Sequence, residues 1–280
     1  MKIGFIGGGK VGFSLGKYLK ENNFDIVGYF SKNVDSIKRA ANFTNTKEFY
    51  SLKEILSESD ILFITTTDSE IESVWENLKK LSIKNKIICH CSGALSSEIF
   101  KGRENYNVFG YSVHPLFPIK DKYEIYKSLK EAVYTVEGDE TYINIIISMF
   151  SSIGNKVKEI KKEDKIKYHK SAVLVSNLVL ALISIGVDEL ESCGFYSDEA
   201  LDSLYPLIKN NIKNIKEKGL YESLTGPVER GDLEIVKKHL EASTGENKEI
   251  YKLLSKKLLE IGKKKNENKD YKEMEDFLCK

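Results

Sequence analysis

Residues 2–20 read Lys2-Ile-Gly-Phe-Ile-Gly-Gly-Gly-Lys-Val-Gly-Phe-Ser-Leu-Gly-Lys-Tyr-Leu-Lys20. An apolar run, glycines at Gly7, Gly9 and Gly12, and then helical periodicity predict a strand, a phosphate-binding turn and a helix. Gly7 permits the tight turn, Gly9 lets the backbone approach a pyrophosphate, and Gly12 lets helix and strand pack closely. Lys10 and Val11 stand at the predicted helix N-terminus, whose free N–H groups attract phosphates. The stretch therefore predicts a dinucleotide-binding fold.

The end of the second predicted strand bears on which dinucleotide is bound. In a site for NAD, an acidic residue about 20 residues beyond the glycines binds the ribose 2′-hydroxyl. Here the strand runs from Asp25 to Phe30, so Asp25 lies at its wrong end, and Ser31 and Lys32 follow. A hydroxyl and an ammonium suit a 2′-phosphate, and this stretch carries no carboxylate to repel it. We therefore expect NADP as the cofactor.

The pattern beyond this unit predicts an α/β fold. Apolar runs near residues 60–65, 86–91, 108–113 and 131–137 alternate with amphipathic segments. Such alternation predicts a doubly wound, mostly parallel Rossmann sheet. From residue 162 the periodicity is continuously helical. We expect a Rossmann domain over residues 1–161 and an all-helical substrate and dimerisation domain over residues 162–280.

Polar residues follow several predicted strands, at the edge where parallel sheets bind ligands. We assign Thr66, Thr67 and Asp68 to the cofactor ribose, with a purely structural turn and cap as the alternative. Ser92 offers a hydroxyl, and Gly93 a backbone donor, to the nicotinamide or to a substrate carboxylate. His114 ends another strand and is a candidate proton donor.

A second candidate proton donor, His169, lies on the long predicted helix over residues 163–192. On an ideal helix, Ser176 lies about 20° and Asn177 about 80° from His169 around the axis, so they share one face. His169 and Asn177 would be about 12 Å apart along it. We expect them to bracket nicotinamide and substrate, although either histidine could instead be a packed residue of the crevice.

The string Thr225-Gly-Pro-Val-Glu-Arg-Gly-Asp232 combines turn residues with charges. Arg230 is a candidate anchor for a substrate carboxylate, because guanidinium groups bind carboxylates in a bidentate manner. The alternative is structural: Asp232 caps the next helix, and Gly226-Pro227 only bends the chain.

Composition narrows the choice of partners. The chain has 43 basic and 42 acidic residues and a formal net charge of +1. This balance indicates neither a nucleic acid nor a membrane surface as partner, so we expect a small-molecule substrate. Cys89, His90 and Cys91 lack a second pair at zinc-ligand spacing, so no metal site is expected. The N-terminus shows no signal-peptide pattern, which predicts a cytoplasmic protein.

The most apolar stretch, residues 172–187, is shorter than the ~20 residues that a bilayer requires. It also contains Asn177. We expect a buried interdomain helix rather than a membrane span. Its extent is large for one small helical domain to cover, which favours a homodimer.

The chain also resembles a known superfamily. A glycine-rich half and an all-helical half are similar to those of pyrroline-5-carboxylate reductase, 3-hydroxyisobutyrate dehydrogenase and ketopantoate reductase. The strings His90-Cys-Ser-Gly-Ala94, Tyr111-Ser-Val-His-Pro-Leu116 and Leu224-Thr-Gly-Pro-Val-Glu-Arg-Gly-Asp232 narrow the resemblance. A fourth string, Glu163-Asp-Lys-Ile-Lys-Tyr-His169 through Ser176-Asn177, belongs with them. Together they resemble Rossmann-like NADP-binding proteins whose helical domain is catalogued as of unknown function, some of which are alternative ketopantoate reductases.

The resemblance implies an NADPH-dependent oxidoreductase that acts on a small 2-oxo acid, with ketopantoate (2-dehydropantoate, in pantothenate biosynthesis) as the first candidate. Ketopantoate reductases carry Lys, Asn and Asn at four-residue steps on this helix. The corresponding positions here are His169, Val173 and Asn177, so only the last residue matches. A pyrroline-5-carboxylate-type imine reductase and a non-catalytic NADP-binding sensor are the alternatives.

Overall fold

The computed structural model describes residues 1–81 and 83–279. Within them the chain forms one eight-stranded sheet in the order β3-β2-β1-β4-β5-β6-β7-β8. All neighbouring pairs are parallel except β6 and β7, which are antiparallel. The fold is therefore α/β with a mostly parallel, doubly wound sheet, as predicted. The strands are β1 (Lys2–Ile6), β2 (Asp25–Phe30), β3 (Lys47–Phe49), β4 (Ile61–Ile64), β5 (Ile87–His90), β6 (Phe109–Leu116), β7 (Val133–Gly138) and β8 (Lys156–Glu159).

Helices cover both faces of the sheet, because the central strands are apolar on both sides. In β4, Phe63 belongs to one hydrophobic cluster, and its neighbours Leu62 and Ile64 belong to the other. This alternation is the period of two of a strand buried on both faces. The helices of this part are α1 (Lys10–Glu21), α2 (Val34–Thr44), α3 (Leu52–Glu58), α4 (Asp68–Lys80), α5 (Ile143–Ser151) and α6 (Lys165–Val175).

Two compact units divide the chain, Met1–Val175 and a second unit that begins at Ser176. The second unit is helical, as predicted, and contains α7 (Asn177–Ser192), α8 (Ser197–Lys218), α9 (Pro227–Arg230), α10 (Leu233–Ala242), α11 (Gly245–Lys265) and α12 (Lys272–Cys279). By compactness α6 belongs to the first unit, whereas the sequence pattern grouped it with the helical half. Lys165 in the first turn of α6 bonds to groups of the first unit, Ser92 after β5 and Ser112 on β6.

The apolar stretch at the start of the second unit is not buried, contrary to expectation. Leu178 is 51% exposed and Leu180 is 64% exposed. The helical stretch Lys162–Ser192 is long and apolar enough to cross a bilayer by length and composition alone, and none of its apolar window is buried. An apolar sequence makes burial of a helix favourable, but burial also requires another segment that packs against the helix. Among the described residues, these leucines stay exposed.

Candidate active site

The glycine-rich turn after β1 has the shape that a pyrophosphate requires. Gly7 has φ of +113°, and a Cβ atom there would lie 2.9 Å from the carbonyl of Thr65. A Cβ on Gly12 would lie 2.2 Å from Oγ1 of Thr65. In front of Gly9 the space is open, with Thr65 O at 3.8 Å as the nearest atom to a Cβ. Gly7 and Gly12 are thus needed for packing, and Gly9 leaves room for a ligand.

The start of α1 completes this cradle. Gly9 is the N-cap of α1 and provides no side-chain hydrogen bond to the first turn. The first N–H groups of the helix, beginning at Lys10 and Val11, therefore point to the open side of the loop and carry the positive end of the helix dipole. The hydroxyl of Thr65 donates to Gly7 O at 2.8 Å and fixes the turn. These residues fit the pyrophosphate of a dinucleotide.

The end of β2 differs from the sequence-based expectation in one respect. Lys32 is exposed, but its Nζ atom lies 2.5 Å from Oε2 of Glu70 in the first turn of α4. A carboxylate therefore does stand at this position, supplied by a residue 38 positions along the chain. The stretch Ser31-Lys32 alone could not show this, because the contact is set by the sheet order.

The polar residues after β4 and β5 are largely engaged with each other. Ser92 is buried; its hydroxyl donates to Asp68 at 2.7 Å and accepts from the N–H of Leu95 at 3.0 Å. The single hydrogen of that hydroxyl is thus used within the protein, in the manner of a turn. Thr67 is the N-cap of α4, and Thr66 donates to Thr67 O at 3.4 Å. Ligand contacts by Thr66, Thr67 and Ser92 stay predictions.

Gly93 brings the two candidate histidines together. A Cβ atom on Gly93 would lie 2.8 Å from Nδ1 of His169 and 3.0 Å from Nε2 of His114. Both ring nitrogens therefore face the same backbone atom, just beyond the carboxyl end of β5. Among the described residues, Nδ1 of His169 is buried and has no hydrogen-bond partner. The sequence predicted all three residues at a site, and the fold places them side by side.

His114 is uncharged at neutral pH. Burial and the nearby cationic Lys165 lower its pKa to about 3. Its Nδ1 atom is in hydrogen-bond contact with the hydroxyl of Tyr168, at 2.7 Å. Burial raises the pKa of Tyr168, so this hydroxyl retains its proton and can donate to Nδ1. In that tautomer Nε2 of His114 carries the hydrogen that points toward Gly93.

Lys165 is a site residue that the sequence analysis missed. It is 1% exposed, and its Nζ atom donates to Ser92 O at 3.0 Å and to Oγ of Ser112 at 2.7 Å. Burial lowers its pKa to about 8, although the Glu137 carboxylate opposes the shift. The signal was present: Lys165 precedes His169 by four residues, one helical turn back on the same face. Four-residue steps counted back from Asn177 reach Val173, His169 and then Lys165, one step beyond the residues that the resemblance compares.

His90 supports the turn that carries Ser92 and Gly93. Its Nδ1 atom accepts from Ser92 N at 3.2 Å, so Nε2 bears the hydrogen and donates to Ser96 O at 3.1 Å. Burial lowers its pKa to about 4, which keeps the ring neutral. Across residues 1–81 and 83–279, no group of three His, Cys, Asp or Glu side chains is arranged to hold a metal ion.

The remaining predicted residues lie in the second unit. The predicted single helix over residues 163–192 is interrupted at Ser176, where φ is −114° and ψ is −70°. The ideal-helix angles between His169 and Asn177 therefore do not apply. Ser176 donates to Oδ1 of Asn177 at 3.0 Å, and both are exposed. Contacts of Ser176 and Asn177 with substrate stay predictions.

The string that ends at Asp232 is partly structural. Asp232 accepts from Ile235 N at 3.3 Å and caps α10, as the structural alternative proposed. Glu229 accepts from Nδ2 of Asn266 at 2.9 Å and is held within the unit. Arg230 is exposed at the end of α9. A substrate-binding role for Arg230 stays a prediction.

Known proteins show the same two-part organisation. Residues 2–92 match the family described as NADP oxidoreductase coenzyme F420-dependent, and residues 132–258 match a domain of unknown function, DUF2520. The Bacillus subtilis (strain 168) protein named "Putative 6-phosphogluconate dehydrogenase YqeC" is 36% identical over 92 residues, which are 31% of this chain. The chain spans about 30% of the length of that curated relative. The N-terminal region is thus similar to the dinucleotide-binding domains of oxidoreductases.

Solved structures resemble most of the chain. Protein TM1727 from Thermotoga maritima is 28% identical with a TM-score of 0.74, over 94% of this chain and 99% of that one. The "putative NADP oxidoreductase BF3122" from Bacteroides fragilis is 21% identical with a TM-score of 0.70, over 92% of this chain and 98% of that one. The second likeness concerns the fold alone.

Proposed function

We propose that this protein is an NADPH-dependent reductase that transfers a hydride to the carbonyl carbon of a small 2-oxo acid, with ketopantoate as the first substrate to test. The observation that carries the proposal is the convergence of His114 and His169 on Gly93, beside the buried Lys165. A carbonyl reduction needs a proton donor and positive charge where the oxyanion develops. This cluster supplies both at the ligand-binding edge of the sheet.

The glycine cradle, Ser31 and Lys32 are proposed to hold NADP. When bound, this cofactor supplies the hydride from C4 of its nicotinamide ring. The open space in front of Gly9 and the uncapped start of α1 support binding of the pyrophosphate. The ammonium of Lys32 supports binding of the 2′-phosphate, provided that it exchanges Glu70 for that group.

Within the cluster we assign the proton to His169. Its buried Nδ1 atom has no hydrogen-bond partner within residues 1–81 and 83–279 and faces Gly93, so a substrate oxygen there would satisfy it. His114 is neutral, and its Nε2–H orients the same oxygen. The Lys165 ammonium is bonded to Ser92 O and Ser112, so it acts through its positive field and by holding the turn in place. Arg230 is the proposed anchor for the substrate carboxylate.

The same cluster could protonate the nitrogen of a cyclic imine, which is the second candidate and follows from the resemblance to pyrroline-5-carboxylate reductase. The third candidate, a sensor that binds NADP without turnover, requires only the cradle. Loss of NADPH absorbance with ketopantoate or with pyrroline-5-carboxylate distinguishes the three. We expect oxidation with ketopantoate, and the absence of oxidation at high enzyme concentration would exclude that substrate.

Variants separate catalysis from cofactor binding. His169→Ala should lower turnover by about 10²-fold or more, because the proton donor is lost. Its affinity for NADPH should stay within about twofold of the wild-type value. His239→Ala is the matched control, since His239 contacts Tyr251 in the second unit. Equal turnover in His169→Ala and wild type would refute the assigned proton donor.

A further inference from the structure

An ion pair connects the end of β2 to the start of α4. Lys32 lies in the turn after β2, and Glu70 lies in the first turn of α4. Their Nζ and Oε2 atoms are 2.5 Å apart, with 74% of the Lys32 side chain and 44% of the Glu70 side chain exposed. Both groups are therefore accessible to a ligand that approaches from solvent.

The sheet order determines what this ion pair crosses. Ile6 at the end of β1 pairs with Phe30 of β2 on one side and with Ile64 of β4 on the other. The three strands thus end at one level, and the glycine turn begins with the next residue, Gly7. A link from the β2 end to α4 spans the flanks of that turn. The adenosine ribose of a dinucleotide lies between these flanks in such folds.

We propose that Glu70 is a determinant of cofactor choice. By holding Lys32, Glu70 weakens the binding of a dinucleotide that carries a 2′-phosphate relative to one that carries a 2′-hydroxyl. The inference rests on the proposed dinucleotide-binding function. A 2′-phosphate brings two negative charges to the Lys32 ammonium, so the ion pair has to open and the Glu70 carboxylate then repels the phosphate. A 2′-hydroxyl requires neither, because a carboxylate accepts its hydrogen bond while Lys32 stays in place.

Neighbouring acids provide a control. Asp68 accepts from Ser92, and Glu72 is paired with Lys101 at 3.6 Å. Glu72 is on the same helix, is exposed, and changes the net charge by the same amount when it is neutralised. Both variants remove one negative charge from α4, but only Glu70→Gln removes the ion pair with Lys32.

The test measures dissociation constants of NADPH and NADH by fluorescence titration, without substrate. Exposed charge pairs alter affinities by about two- to fivefold, so Glu70→Gln should tighten NADPH by this factor and leave NADH within about twofold. Glu72→Gln should leave the ratio of the two constants unchanged. In a Lys32→Ala background, Glu70→Gln should have a smaller effect on NADPH, since the competition for the ammonium is absent.

Two outcomes would overturn the inference. The first is an unchanged NADPH-to-NADH ratio in Glu70→Gln, and the second is the same shift in Glu72→Gln, which would indicate a general charge effect. A wild-type protein that binds neither dinucleotide would instead refute the proposed function. The two failures are thereby distinguished by the wild-type titration.

Discussion

At the scale of single residues, Lys165 has the most unusual environment in the candidate site. Its ammonium is almost fully removed from solvent and bonds to a backbone carbonyl and a hydroxyl, both neutral acceptors. Burial without a directly bonded carboxylate disfavours the charged form, and for this reason the pKa falls from 10.5 to about 8. Burial of the charged Lys165 therefore lowers the stability of the fold at neutral pH. The ammonium is close enough to His90 and His114 to contribute to the lowered pKa of both.

This lowered pKa predicts how stability depends on pH. Between pH 8 and 10.5 the unfolded chain holds the Lys165 proton and the folded chain has released it, so the free energy of unfolding rises with pH. Relative to Lys165→Met, the wild type should gain up to about 3 kcal/mol across this window, measured by urea unfolding. Lys167→Met, at an exposed neighbour, should show no such trend. A flat difference for Lys165→Met would contradict the burial argument.

Gly93 gives a second residue-scale prediction. An added methyl group would overlap the ring nitrogens of His114 and His169, so both rings have to move. Displacement of catalytic groups by about 1 Å costs roughly 10²-fold in rate, and Gly93→Ala should lose turnover by that factor while NADPH affinity is kept. Gly262→Ala on α11 is a control, because its Cβ would meet its neighbours at ordinary distances. Turnover equal to wild type in Gly93→Ala would show that the rings do not act there.

The sequence identified His114, His169 and Gly93, because local patterns define the elements that carry them: Gly93 follows β5, His114 lies in the last part of β6, and His169 lies on α6. It missed Lys165 and Glu70 for a shared physical reason. Lys165 reads as an ordinary helical lysine until Ser92 and Ser112, more than 50 residues away, enclose it. In the sequence, Glu70 resembles any acidic residue in the first turn of a helix. Its contact with Lys32 follows only from the order of the strands in the sheet.

At the scale of elements, the glycine turn divides its work between folding and binding. A Cβ atom on Gly12 would clash with Thr65 and Gly7. Gly9 instead faces open space, and alanine can also adopt its backbone angles. Within one turn, Gly12 is thus needed for packing, whereas Gly9 is available for ligand binding.

Alanine at these two positions should have opposite effects. Gly12→Ala should lower the free energy of unfolding by about 1–3 kcal/mol through overpacking. Gly9→Ala should unfold like the wild type and lose at least about tenfold in NADPH affinity, because the methyl group occupies the pyrophosphate approach. Urea unfolding and NADPH titration give the two readouts. If Gly9→Ala kept full NADPH affinity, the glycine turn would not be part of the NADPH-binding site.

Among the elements, the apolar central strands and the amphipathic helices were predictable, whereas β3, β8 and α5 were not. β3 and β8 are the two edge strands of the sheet, and each contains a single apolar residue, Phe49 or Val157, so no apolar run marks them in the sequence. Helix α5 is apolar along most of its length, Ile143-Asn-Ile-Ile-Ile-Ser-Met-Phe-Ser151, which periodicity alone does not separate from a strand.

At the scale of the whole molecule, the exposed apolar surface of α7 calls for a partner. Leu178 and Leu182 lie one turn apart on the same side of α7 and are 51% and 46% exposed, and exposed apolar surface of this kind marks interaction sites. We propose a second copy of this chain as the partner, because two identical α7 faces are mutually complementary in hydrophobicity.

Analytical ultracentrifugation tests this proposal. The wild type should sediment as a dimer at micromolar concentration, and Leu178→Asp should shift it toward the monomer, since a buried charge is costly. Leu220→Asp, at another exposed leucine of the same unit, should remain dimeric. A monomeric wild type, or one that co-sediments with lipid vesicles instead, would contradict the homodimer.

The central claim is that the cluster around Gly93 reduces a carbonyl with a hydride from NADPH. The most direct measurement is a single-turnover experiment in which excess enzyme, NADPH and ketopantoate are mixed and absorbance of NADPH is followed. We expect stoichiometric NADPH oxidation by the wild type and a rate lower by about 10²-fold or more in His169→Ala. Tight NADPH binding with no oxidation, or equal rates in both proteins, would contradict it.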